Sequence, residues 1–176
     1  MPDNLSTAEI LSEKFGINSS KIFNDLNEVE VRYSETQDCI GFYAELTKRF
    51  NIPREELQKA MNKSELTEVY ELAKKISRKY PTYILSNNWK DRTDFILGNY
   101  DLTFFTNIFF SDRIGIMKPK KEAYMHVLNE MEQPECMFID DHKANTDGAE
   151  IVGIKGILFQ DVETLQKDLK AQGVTW

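Results

Sequence analysis

Three short stretches of the chain combine residue types that can handle a phosphate group. Ser86-Asn87 follows the apolar run Thr-Tyr-Ile-Leu at 82–85. Lys118 is the only charge in Gly115-Ile116-Met117-Lys118-Pro119. Asp140-Asp141 closes the run Cys-Met-Phe-Ile at 136–139. A hydroxyl and a backbone amide after a strand can hold phosphoryl oxygens. An ammonium can neutralise a phosphate and a neighbouring carboxylate. Carboxylates at a strand end can hold Mg2+, a hard cation that takes oxygen ligands and keeps several waters. Phosphoryl transfer depends on electrostatic parts of this kind. Taken singly, each has an ordinary structural reading: the serine and the acidic pair as caps of the following helices, the lysine as a solvated charge. Together, after successive strands, they form a chemical set.

The elements that would position this set change character near residue 80. Before it the chain reads as helix. Ser6 and Glu9 form a capping box with Leu5 and Ile10 as a hydrophobic staple, and Gly16 stops that helix. A second helix runs over 20–33 with Ile22, Leu26 and Val29 on one face. A third starts at Ser34 or Thr36 and ends at Phe50. Pro53 opens a fourth that ends near Met61. Ser64 caps a fifth, whose Leu66, Val69, Tyr70, Ala73 and Ile76 repeat near the helical period. After residue 80, apolar strands at 82–86, 104–110, 136–140 and 155–159 alternate with helices at 89–97, 121–131, 143–152 and 161–172. That alternation predicts a parallel, three-layer Rossmann-like α/β sheet, with strands buried on both faces and an active site at their C-terminal ends. The domain division follows: a helical part over 1–78 and an α/β core over 79–176.

Bulk composition narrows the functions. The chain has 176 residues, 41% of them hydrophobic, enough for a packed core. Its 22 basic and 29 acidic residues give a net charge of -7, which argues against a nucleic-acid partner. No apolar run approaches the roughly 20 residues that span a bilayer, so no membrane partner is expected. The N-terminal residues lack the features of a signal peptide, and Cys39 and Cys136 read as reduced thiols; a cytoplasmic location is the expectation.

The three stretches resemble motifs of the haloacid dehalogenase-like superfamily. Ile84-Leu85-Ser86-Asn87 is similar to its motif II. Ser111 to Tyr124 is similar to motif III in the form Gly-x-x-Lys-Pro followed by a tyrosine. Met137 to Ala149 is similar to motif IV in the form Phe-Ile-Asp-Asp-x-x-x-Asn-x-x-x-Ala. The wording is that of the small helical-cap subgroup, which includes sugar-phosphate phosphatases and the N-terminal phosphatase domain of soluble epoxide hydrolases. The likeness covers residues 80 to about 173 well and the helical part over 5–78 more weakly. It implies Mg2+-dependent hydrolysis of a small phosphorylated metabolite. Ser86 and Asn87 would hold the phosphoryl group, Lys118 would steady phosphate and nucleophile, and Asp141, with Asp140 beside it, would bind Mg2+. Asn145 falls where some relatives carry another acid.

One family part has no counterpart here. The family opens with an apolar strand ending in Asp-x-Asp, whose first Asp attacks phosphorus and whose second serves as acid and base. Nothing in residues 1–10 reads as a buried strand. Phe23-Asn24-Asp25-Leu26-Asn27 has the wrong pattern, because Ile22, Leu26 and Val29 keep helical spacing. The expectation is therefore a fold with the first core strand missing and a chain inactive by itself. The strand belongs between 82–86 and 136–140. Those two could pair directly, another segment or a second copy in a homodimer could fill the slot, or the chain could be a truncated form. A non-catalytic relative that binds phosphate, metal or protein is the competing reading. A receiver-like signalling domain fits less well, since its acidic pair would follow the first strand.

Overall fold

The computed structural model describes residues 4–34, 36, 38–62, 68–131 and 135–176. They form two compact units, one of residues 1–65 and 88–100, the other of 66–87 and 101–176. The expected division at 78/79 separates helices from strands; compactness instead places the helix after the first strand with the N-terminal helices.

The first unit holds helices α1 (Asn4–Phe15), α2 (Ser19–Ser34), α3 (Cys39–Phe50), α4 (Arg54–Met61) and α6 (Lys90–Asn99). Leu11, Ile22, Leu26, Val29, Phe42, Leu46 and Leu57 build its core, with Trp89 stacked on Phe42 at 5.2 Å between ring centroids. Phe23 to Asn27 lie inside α2, as the spacing of Ile22, Leu26 and Val29 requires. Two expected helix starts shift. Helix α1 begins at Asn4, ahead of Ser6, and the Asn4 amide donates to Asn27 Oδ1 and Glu30 Oε2. Helix α3 begins at Cys39, where the Asp38 carboxylate accepts from the Gly41 amide and caps the first turn. The expected cap at Ser64 lies outside the described residues.

The second unit is α/β. It contains α5 (Glu68–Ile76), β1 (Tyr83–Ser86), β2 (Asn107–Phe110), α7 (Ser111–Ile114), α8 (Lys121–Asn129), β3 (Met137–Asp140), α9 (Lys143–Ile151), β4 (Lys155–Leu158) and α10 (Val162–Ala171). Among the described residues the pairing is parallel: β1 with β2, Ser86 opposite Phe110, and β3 with β4, Asp140 opposite Leu158. Met137 and Ile157 share one face of the β3–β4 pair and meet Leu72 of α5 and Leu165 and Leu169 of α10. Phe138 lies on the other face with Tyr124 of α8 and Ala149 of α9. Helix, sheet and helix layers follow from that alternation.

Two details differ from the sequence expectation. Residues 102–105 are a turn, not the start of a strand: the Asp101 carboxylate accepts from the Thr103 amide and hydroxyl, and Phe105 N–H donates to Leu102 C=O. The strands also form two pairs instead of one sheet. Strands β1 and β3 do not pair directly among the described residues, which removes the first of the three ways of closing the slot. With one ladder partner each among the described residues, the strands are less enclosed than those of a continuous parallel sheet; Ile139 is 39% exposed.

Candidate active site

The polar ends of β1 and β3 are tied together through the loop between α7 and α8. Helix α7 is a single turn that ends at Gly115, whose φ of 72° is a left-handed conformation suited to glycine. The chain then runs to Lys118 and a cis peptide to Pro119. Asn87, just past β1, grips this loop with both ends of its carboxamide. Its Oδ1 accepts from Lys118 N–H at 2.9 Å and its Nδ2 donates to Lys118 C=O at 2.9 Å.

Lys118 turns its ammonium to the end of β3. Its Nζ donates to Asp140 Oδ2 at 2.5 Å, with the two side chains only 8% and 6% exposed. The ammonium also lies 5.1 Å from the centre of the Phe138 ring, a cation–π contact. The second Asp140 oxygen accepts from the His142 amide at 2.9 Å and from Asn145 Nδ2 at 2.8 Å. Asn145 is in turn placed by α8, whose Tyr124 hydroxyl donates to its carbonyl at 2.7 Å. Helix α9 approaches the loop closely because residue 148 is glycine: a Cβ there would stand 2.7 Å from the Pro119 carbonyl oxygen and 3.0 Å from the Tyr124 hydroxyl.

The electrostatics follow from this wiring. Burial pushes the Asp140 carboxyl up, but the Lys118 ammonium, Asn145 and the His142 amide outweigh it and hold the group below its ordinary range. Burial, helped by the Asp140 charge, pushes the Tyr124 phenol up to about 12. Asp141 differs sharply from its neighbour. Its side chain is 72% exposed, with the His142 imidazole 4.0 Å away. The two adjacent acids thus divide: Asp140 is committed to protein donors, and Asp141 is open to a ligand.

Of the residues singled out in the sequence, Asn87, Lys118 and Asp140 are joined by hydrogen bonds. Ser86 ends β1 beside Asn87 and is half-buried, and Asp141 follows Asp140. His126 has a packing role, its ring edge-on to Phe109 at 5.6 Å. The parts that sequence reasoning left without a role are Asn145, Tyr124 and Gly148. Their spacing within motifs III and IV was the available signal.

These residues suit a hard divalent cation. Ser86, Asp140 and Asp141 present oxygen atoms at the strand ends. Lys118 is already balanced by Asp140, so Asp141 leaves a local excess of negative charge that a dianionic phosphate would oppose without a cation. Among the described residues no cluster of three or more His, Cys, Asp or Glu side chains could hold a metal. A site with one free carboxylate matches Mg2+, which is commonly held by one or two carboxylates plus waters and phosphate oxygens.

Residues 13–153 match the model of the haloacid dehalogenase-like hydrolases. The chain belongs to that family. Among curated relatives of this hydrolase-family chain, drimenol cyclase drtB of Aspergillus calidoustus is 31% identical over 49% of this chain. The chloroplast flavin mononucleotide hydrolase 1 of Arabidopsis thaliana is 36% identical over 34% of it. Sesquiterpene phosphatase astK of Aspergillus oryzae is 35% identical over 36% of it. The matches span 17%, 25% and 33% of those relatives' own lengths. Among solved structures, a HAD-family enzyme of Bacteroides thetaiotaomicron, crystallised as a magnesium complex, superposes with a TM-score of 0.72. It is 19% identical, with 94% of this chain and 91% of that one covered. YfnB of Bacillus subtilis, bound to magnesium, gives 0.69 at 16% identity over 96% and 93%. These likenesses show the HAD-like α/β fold. No helix among the described residues is long and apolar enough to cross a membrane.

Proposed function

We propose that this chain carries the phosphate- and metal-holding part of a Mg2+-dependent phosphate monoester hydrolase acting on a small phosphorylated metabolite. The observation behind it is Lys118: its peptide is held by Asn87 just past β1, and its almost wholly buried ammonium is bonded to Asp140 at the end of β3, next in sequence to the open carboxylate of Asp141. Ser86 would offer its hydroxyl, and the backbone amides after β1 their N–H groups, to the phosphoryl oxygens. Lys118 would set a fixed positive charge against them. Asp141 would hold Mg2+, which when bound supplies the positive charge that offsets the phosphoryl group's own. Asp140 would hold Lys118 in place and not touch the metal. Two of the relatives named above, a flavin mononucleotide hydrolase and a sesquiterpene phosphatase, support the phosphate-ester reading.

Attack on phosphorus needs a nucleophile, and the 176 residues contain no Asp-x-Asp pair. The proposal for these residues by themselves is therefore ligand binding without turnover. Hydrolysis of 4-nitrophenyl phosphate with and without Mg2+ tests it. No Mg2+-dependent release of nitrophenol is expected from residues 1–176. Turnover that disappears in Asp141→Asn would show that a nucleophile is already present and would overturn this part of the reading.

A further inference from the structure

We propose that Asn87 is a positioning residue for Lys118, and that its side chain does not itself contact the phosphoryl group. A carboxamide has one acceptor and one two-proton donor. In Asn87 the acceptor and one of the two donor protons go to a single residue 31 positions away: Oδ1 takes the Lys118 N–H and Nδ2 gives to the Lys118 C=O, each at 2.9 Å. The residue is 5% exposed, so the carboxamide is enclosed at this task. The bonds grip the peptide, not the ammonium. They fix where the Lys118 chain starts, while Asp140 fixes where it ends. The following residue is proline, which has no N–H of its own for anchoring the loop. Asn87 thereby ties the end of β1 to the loop whose lysine is bonded to the end of β3. Removing the grip frees the Lys118 backbone to drift and weakens the ammonium's hold on Asp140 and on any anion.

The proposal rests on the phosphate-binding reading for one of its two tests only. The first test needs no phosphate. In residues 1–176 with isotope-labelled lysine, the Lys118 Nζ resonance, assigned with Lys118→Arg, should mark a hydrogen-bonded, slowly exchanging ammonium. Asn87→Ala should move it to the position and exchange rate of the exposed lysines. Asn87→Asp, which keeps an acceptor for the Lys118 N–H but sets a carboxylate against its C=O, should fall between. Leu169→Ala, a core truncation on α10, controls for general loosening and should leave the resonance in place. An unmoved Lys118 signal in Asn87→Ala overturns the proposal, as does an equal shift in Leu169→Ala.

The second test is a double-mutant cycle on inorganic phosphate binding. Asn87→Ala and Lys118→Ala should each weaken binding about tenfold or more, and the double variant should be no weaker than Lys118→Ala alone. Multiplying losses would mean that Asn87 meets the anion directly, against the proposal. If the unaltered chain binds no phosphate, the proposed function fails, and the lysine resonance alone decides the role of Asn87.

Discussion

Replacing Lys118 by methionine should expose how much the strand-end network depends on one charge. Methionine fills a similar volume, so the change is close to a pure loss of the ammonium. Breaking a buried ion pair by removing one partner costs roughly 3–5 kcal/mol, because the remaining charge is stranded. Here the Asp140 carboxylate keeps two of its three donors, the His142 amide and Asn145 Nδ2. The expected loss is therefore at the low end, about 3 kcal/mol at pH 7. The sign of its pH dependence follows from Asp140. In the unaltered protein the folded carboxyl lies below its ordinary range, so its contribution is present above the unfolded value of about 3.9 and is lost as pH falls through the folded value. In Lys118→Met burial remains without the ammonium, and the carboxyl moves up instead. The difference between the two proteins should be full at pH 7 and smaller at pH 4. Urea unfolding followed by Trp176 fluorescence in a Trp89→Phe background reports on the α/β unit, where Trp176 packs against the Leu165–Leu169 cluster. Adding Asp140→Asn to Lys118→Met should restore at least half of the loss, since no charge is then stranded. A loss below about 1 kcal/mol, or one equal at both pH values, would mean that Lys118 and Asp140 behave as a surface pair and not as a buried one.

Other expectations follow from single contacts. Gly148→Ala gains up to about 1 kcal/mol of helix propensity but meets the Pro119 carbonyl at 2.7 Å, and overpacking typically costs about 1–3 kcal/mol. The same urea assay should show a net loss; a gain would mean the loop yields freely. Asp38→Ala removes the α3 cap and should lower the stability of the helical unit by about 1 kcal/mol, read from Trp89 fluorescence. Asp141→Asn should leave stability within about 0.5 kcal/mol, because the side chain stands in solvent, yet abolish Mg2+ uptake in calorimetric titration. Unchanged uptake would move the metal away from Asp141.

The strands and most helices were legible because the signal is local. Apolar runs of four residues bounded by polar ones gave β1, β3 and β4, and the period of Ile22, Leu26 and Val29 gave α2. Errors arose where a side chain outside the pattern decided the outcome. Asn4 bonds to α2 and extends α1 past its capping box, and the Asp101 carboxylate helps fold residues 102–105 into a turn. The candidate site was legible as a set of positions. Its wiring was not. Nothing in an adjacent Asp-Asp pair says that the first acid would be enclosed by Lys118, Asn145 and the His142 amide and the second left open. Nor does a Ser-Asn pair say that the asparagine reaches 31 residues along the chain to hold a lysine's peptide. Those choices depend on which strand ends come together, a tertiary matter that spacing does not encode.

In the proposed function, these residues hold phosphate together with Mg2+ at the ends of β1 and β3. Titration of inorganic phosphate into residues 1–176, followed by 31P NMR in the presence and absence of Mg2+, tests it most directly. Saturable binding is predicted, weakened about tenfold or more when Mg2+ is withdrawn or Lys118 is replaced by alanine. Absence of binding, or binding indifferent to both Mg2+ and Lys118, would contradict the account.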